Sequence, residues 1–189
     1  LGMMGLAILM TYLQMAWTRL TGWTMPDYLA DLMLVDGLSP KLAWLVVGAV
    51  LMPGLCEETA FRGHLQAGLA RAGRADRPDD APPWGRLMLV AVLFAVFHQD
   101  LYGIPSYLTL GLWLGLVAWR TGSLWPGALA HMANNGLALL QANLLEDPWW
   151  VAHAPALIPA GLLGAAGGLW ILLRAPVQGQ ARKARTTAG

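Results

Sequence analysis

The stretch that most constrains this chain is Cys56-Glu57-Glu58-Thr59-Ala60-Phe61-Arg62, which sets two adjacent carboxylates and an arginine inside a run that otherwise reads as a membrane-spanning helix. A charged side chain near the bilayer centre costs about 2.5 to 3.5 kcal/mol on insertion scales, so such a cluster implies partners and a compensating role. On a helix of about 3.6 residues per turn, Glu58 and Arg62 stand at i and i+4 on one face and are expected to pair, whereas Glu57 points roughly 100° away. Glu57 is then the carboxylate left for chemistry.

The surrounding chain supports the membrane reading. It is 57% hydrophobic and 12% charged, with a mean hydropathy of +0.50, against roughly 25% charged residues in soluble domains. Its 189 residues suit about six spans of about 20 residues each and leave no room for a separate soluble module. The expected fold is all-α: a polytopic membrane helix bundle with about six transmembrane helices around a central polar cavity. It forms one domain over residues 1–174, with the catalytic helices within about 41–145 and a basic, disordered cytoplasmic tail at 175–189. The net charge of +1 is unclustered, which argues against a nucleic-acid partner. The single Cys56 cannot form an internal disulfide and reads as small-residue packing. The chain begins at Leu1 rather than Met, so upstream residues are expected to extend the first helix. Residues 1–18 lack a basic segment and a small-residue cleavage site, so no signal peptide is expected there.

Six helices follow from the apolar runs: Met3–Trp17, Lys41–Arg71, Trp84–His98, Ile104–Trp119, Trp125–Leu145 and Ala154–Leu173. Residues 24–40, broken by Pro26, Gly37 and Pro40, suit a connection with a short interfacial helix carrying Tyr28, Leu29, Leu32 and Met33. Ser39-Pro40 makes a good helix start, and Pro53-Gly54 predicts a kink four residues before Glu57. Arg71–Gly85 reads as a disordered solvent loop. Gly111-Leu-Trp-Leu-Gly115 has the GxxxG spacing that lets helices approach closely. Nine of the twelve Lys and Arg residues fall on one side of a six-span arrangement: Arg71, Arg74, Arg77, Arg86, Arg120, Arg174, Arg182, Lys183 and Arg185. That asymmetry predicts both termini to be cytoplasmic.

Few polar residues remain inside the apolar runs. His98 closes the third, and His131 and Asn135 stand at i and i+4 on the fifth. One Glu pair, two His and an Asn on three apolar helices predict one shared polar site rather than three separate costs. His64 and His153 lack such company and read as interfacial.

Glu57-Glu58-x-x-Phe61-Arg62, then Phe94-x-x-x-His98, then His131-x-x-x-Asn135 resembles the three-motif pattern of the CPBP (Abi) family of intramembrane endopeptidases, which includes the type II CAAX prenyl proteases. The match covers about residues 41–140 with order and spacing intact. The resemblance implies hydrolysis of a peptide bond within the membrane by a non-metal, glutamic mechanism. The partners it implies are a membrane-associated protein or peptide substrate and the lipid bilayer.

The chemistry can also be built from the residues. Amide hydrolysis needs a base to activate water, donors for the developing oxyanion and a proton for the leaving amine. Glu57 suits the base, His98 can orient the water, His131 and Asn135 can donate to the oxyanion, and Arg62 neutralises Glu58. On this reading no cofactor is needed. Two alternatives stay open. Two His and a carboxylate are an ordinary zinc set, although no HExxH is present and Asn135 would lack a role as ligand. The same polar groups would also suit a proton-coupled transporter or a non-enzymatic scaffold. Ten Arg against two Lys, with abundant Ala, Gly and Leu, point to a GC-rich bacterial genome and hence to the bacterial inner membrane. Prenylated CAAX substrates are not expected in that setting.

Overall fold

The computed structural model describes residues 2–72, 82–144 and 147–174. The middle of the expected Arg71–Gly85 loop and the 175–189 tail lie outside the described residues. Among those described there is no strand, and seven helices follow one another. They are α1 (Gly2–Thr21), α2 (Asp27–Met33), α3 (Pro40–Ala72), α4 (Trp84–Phe97), α5 (Ile104–Thr121), α6 (Trp125–Leu144) and α7 (Asp147–Arg174). Large apolar side chains such as Leu89, Val92, Leu93, Val96 and Phe97 face outward, as side chains do that meet lipid. By length and composition α3 and the Pro148–Arg174 part of α7 suffice to cross a membrane.

Local chemistry sets most of these boundaries. Ser39 caps α3, its Oγ accepting from the Leu42 N–H at 3.3 Å, and Pro40 follows where no donor is needed. Gly122 ends α5 at φ 60°, in the left-handed region that closes a helix. α4 stops one residue short of the expected His98, which caps the helix before Gln99 turns the chain at φ 52°. α4 has 14 residues, about 21 Å long and shorter than the hydrocarbon layer of about 30 Å. The last helix begins at Asp147 rather than Ala154 and runs through Pro155 and Pro159. Its first turn absorbs residues expected to form a loop, because Pro148 sits where a missing N–H costs nothing.

The Pro53-Gly54 step leaves α3 continuous. The helix carries π-helical turns at Val46–Leu51 and Thr59–Gln66 on either side of an α-helical Met52–Glu58. The two carboxylates therefore sit between two widened turns. Arginines close the helix ends nearby. Arg86 Nη1 donates to the Leu69 and Ala70 carbonyls at the end of α3, and Arg120 donates to those of Leu172 and Leu173 at the end of α7.

Helices α3, α4, α5 and α6 enclose the polar residues, with α1 against α5 and α7 outside it. Leu6, Met10, Phe61, Val90, Phe94, Leu110 and Leu114 form one apolar core that joins α1, α3, α4 and α5. Small residues set how near the helices come. A Cβ on Gly111 would lie 3.0 Å from Ala91 Cα, and one on Gly115 would lie 3.3 Å from Leu87 Cδ2, so the GxxxG spacing is spent on α4. An apolar cavity of about 280 Å³ lies between α1, α6 and α7, and none of Glu57, His98, His131 and Asn135 lines it.

Gly111→Val should push α5 off α4 and cost about 1 to 3 kcal/mol, the usual range for overpacking a close contact. Gly48→Ala is the control, because its Cβ would meet only the Trp44 ring at 4.0 Å. Thermal unfolding in detergent should show a clear loss for the first and none for the second.

Candidate active site

The site is built outward from Glu58. Its side chain is 1% exposed, and Arg62 Nη1 one turn later lies 2.9 Å from Oε1. The guanidinium N–H is not aimed along that line, so this is an ion contact rather than an aligned hydrogen bond. Arg62 Nη2 donates to the Gly111 carbonyl at 3.0 Å, and Gln66, one turn on, donates to the Gly115 carbonyl at 2.9 Å. One step of four residues on α3, from Arg62 to Gln66, thus matches one step of four on α5, from Gly111 to Gly115. The arginine also lies 4.7 Å from the Phe94 ring centroid, where the π face favours a cation.

His131 completes the enclosure of Glu58. Its Nδ1 lies 3.1 Å from Glu58 Oε1, and the ring is 2% exposed. A carboxylate paired with Arg62 can only accept, so Nδ1 carries the proton. Gly127 lies in the first turn of the same helix, where a Cβ would come 3.0 Å from Glu58 Oε2. Glycine is needed there for α6 to pass the carboxylate.

Glu57 faces the other way and is 19% exposed. Its Oε2 lies 3.8 Å from His98 Nε2 and 3.9 Å from His131 Nε2. That oxygen is buried and finds no hydrogen-bond donor among the described residues. His98 is held from its other side, with Nδ1 donating to the Phe94 carbonyl at 2.8 Å. In the neutral rings both Nε2 atoms therefore bear lone pairs and face a carboxylate oxygen. Three acceptors converge on one spot. Such a spot attracts a donor with two hydrogens, an added ring proton or a cation.

Phe94, fully buried, holds both imidazoles. Its centroid lies 4.7 Å from that of His98 and 5.8 Å from that of His131, and Phe61 meets it edge-on at 5.1 Å. Glu57, His98 and His131 are thus brought together. Asn135 is placed differently. Its Nδ2 donates to the Ala49 carbonyl at 3.0 Å, and its Oδ1 accepts from Asn134 at 3.4 Å. The reason lies in α3: Pro53 has no N–H to offer the carbonyl four residues earlier, which is that of Ala49. His64 and His153 are exposed, each bonded to a carbonyl of its own helix.

Sequence reasoning missed the bond from His131 to Glu58, because it joins residues 73 apart in the chain. It also missed Tyr107, whose ring stacks on His98 with centroids 4.0 Å apart and planes 20° apart. Its signal was a tyrosine one turn into a largely apolar helix.

The fold and these side chains define a class: a helical integral membrane protein that holds a carboxylate and histidine cluster among its helices. The sequence model of the family described as type II CAAX prenyl endopeptidase, Rce1-like, matches residues 39–137. The chain belongs to that family, which is a family of proteases. The matched region carries α3, α4, α5 and most of α6, and so every side chain of the cluster. No curated protein and no solved structure matches the chain.

Glu58→Ala and Arg62→Ala should each reduce folded protein, since removing one partner of a buried pair costs about 3 to 5 kcal/mol. Yield and unfolding temperature in detergent measure this directly.

Proposed function

We propose that the protein is an intramembrane endopeptidase in which Glu57 activates a water molecule against a peptide bond of a membrane-associated protein or peptide. The observation that supports this most is the buried, unpartnered Glu57 Oε2 facing two histidine Nε2 atoms at 3.8 and 3.9 Å. A water there donates one hydrogen to Glu57 and the other to His98 Nε2, which leaves its lone pair for the substrate carbonyl. As the oxygen attacks, Glu57 takes the proton and the carbonyl electrons move onto oxygen. Collapse of the tetrahedral intermediate breaks the C–N bond, and Glu57 returns its proton to the leaving amine.

His131 is the oxyanion donor. To donate from Nε2 while Nδ1 faces Glu58, the ring must carry both protons, and Glu58 and Glu57 balance that charge. Asn135 becomes a second donor only by releasing the Ala49 carbonyl. We further place both termini in the cytoplasm of a bacterial inner membrane, with six spans, on the basic residues that fall on one side.

A zinc-dependent reading uses the same atoms. Each Nδ1 is already fixed by a carbonyl or a carboxylate, the outer arrangement of metal-binding histidines. Against it, no group of three or more His, Cys, Asp or Glu side chains among the described residues is disposed to hold a metal.

Glu57→Gln keeps size and polarity but removes the base, so it should leave unfolding temperature near wild type and abolish cleavage. Substrate accumulating uncut on this variant can be identified by mass spectrometry. Substantial turnover by Glu57→Gln would transfer the base to Glu58. Cleavage should survive phenanthroline. Stoichiometric zinc, with activity lost on its removal and restored on its return, would establish the zinc reading instead.

A further inference from the structure

The mechanism above leaves one group of side chains unused, on the far face of His98. The Tyr107 ring lies nearly parallel to the imidazole at 4.0 Å, and its hydroxyl donates to Asp100 Oδ2 at 3.1 Å. Asp100 is held in turn, with Oδ1 accepting from the Tyr102 N–H at 2.9 Å and Oδ2 from the Gly103 N–H at 3.1 Å. Gly103 is needed for this arrangement, because a Cβ there would come 2.2 Å from the Tyr107 ring. The turn from His98 to Gly103 thus folds back so that the helix after it delivers an aromatic face to the histidine before it.

Helix α1 fastens the same turn from outside the matched family region. Gln14, a buried amide in an apolar helix, donates to the Tyr102 carbonyl and accepts from Ser106 Oγ at 3.0 Å. Trp17 Nε1 donates to the Leu101 carbonyl at 3.0 Å. A buried amide in a membrane helix is costly unless bonded, and Gln14 uses both its oxygen and its nitrogen on this turn.

From this geometry we infer that Tyr107, braced by Asp100 and by Gln14 of α1, is a positioning residue that sets the plane of the His98 ring and so directs Nε2 at Glu57. The bond from Nδ1 to the Phe94 carbonyl restrains one atom of the ring but leaves it free to tilt about that bond. A stacked face removes the tilt. The inference rests on the role proposed for His98, and its test separates the two.

The probe is an internally quenched peptide spanning the cut site of the substrate that accumulates on Glu57→Gln, cleaved by the full chain in detergent, with proton NMR of the His98 ring as a second readout. In Tyr107→Leu the upfield ring-current shift of the His98 protons should fall to the part that Phe94 and Phe97 supply. The value of kcat should fall about 10- to 100-fold, the scale for a reacting group displaced by about an ångström, with KM little changed. Tyr107→Phe keeps the stack and should keep the shift and most of kcat. An unchanged His98 shift in Tyr107→Leu, or a reduced shift with kcat unchanged, overturns the positioning role. Cleavage that survives His98→Ala, or no cleavage by the wild type, overturns the endopeptidase reading instead, while the NMR result still decides whether Tyr107 holds the ring.

Discussion

The structure depends on the burial of Glu58 with Arg62 and His131. A carboxylate 1% exposed inside a helix bundle is tolerable only when its charge is balanced by close partners. One partner comes from the same helix a turn away, and the other from α6. Arg62 then reaches past Glu58 to the Gly111 carbonyl on α5. A single ion cluster therefore ties α3, α5 and α6 to one another at a fixed height. The small residues at 54, 111 and 127 follow from that constraint, because each stands where a side chain would hold the helices apart.

The same cluster separates the two glutamates by environment. Oε1 of Glu58 is taken up by Arg62 and His131 and its side chain is 1% exposed, whereas Glu57 is 19% exposed and turns its Oε2 toward the Nε2 atoms of His98 and His131. Phe94 sits between the halves, under the guanidinium on one side and against both imidazoles on the other. It carries no polar atom and so fixes orientation without competing for a hydrogen bond. Each histidine is restrained at Nδ1 by a different kind of acceptor, a backbone carbonyl for His98 and a carboxylate for His131. That difference gives the two rings different chemical prospects. Only His131 has a carboxylate behind it to support a second ring proton.

Helix α3 shows how backbone and site are coupled. Widened turns flank the Glu57-Glu58 segment, and Pro53 leaves a carbonyl to be satisfied from outside the helix. Asn135 does this from α6. A polar residue that reads as a catalytic donor from its spacing to His131 thus has a structural partner as well, and the two uses compete for one amide group.

Much of this was legible without coordinates. The apolar runs determine an all-helical membrane protein, since a lipid-exposed backbone must satisfy its own hydrogen bonds. The i, i+4 spacing of Glu58 and Arg62 determines that they share a face, and the order of the three motifs carries the family. Short-range chemistry also placed the cap at Ser39. The tertiary structure alone decided how Asn135 meets the carbonyl that Pro53 leaves free, which glutamate His131 approaches with which nitrogen, and that Tyr107 lies against His98. Those outcomes depend on the rotation and height of one helix against another, which follow from side-chain packing across the interface and leave no periodic mark in the chain.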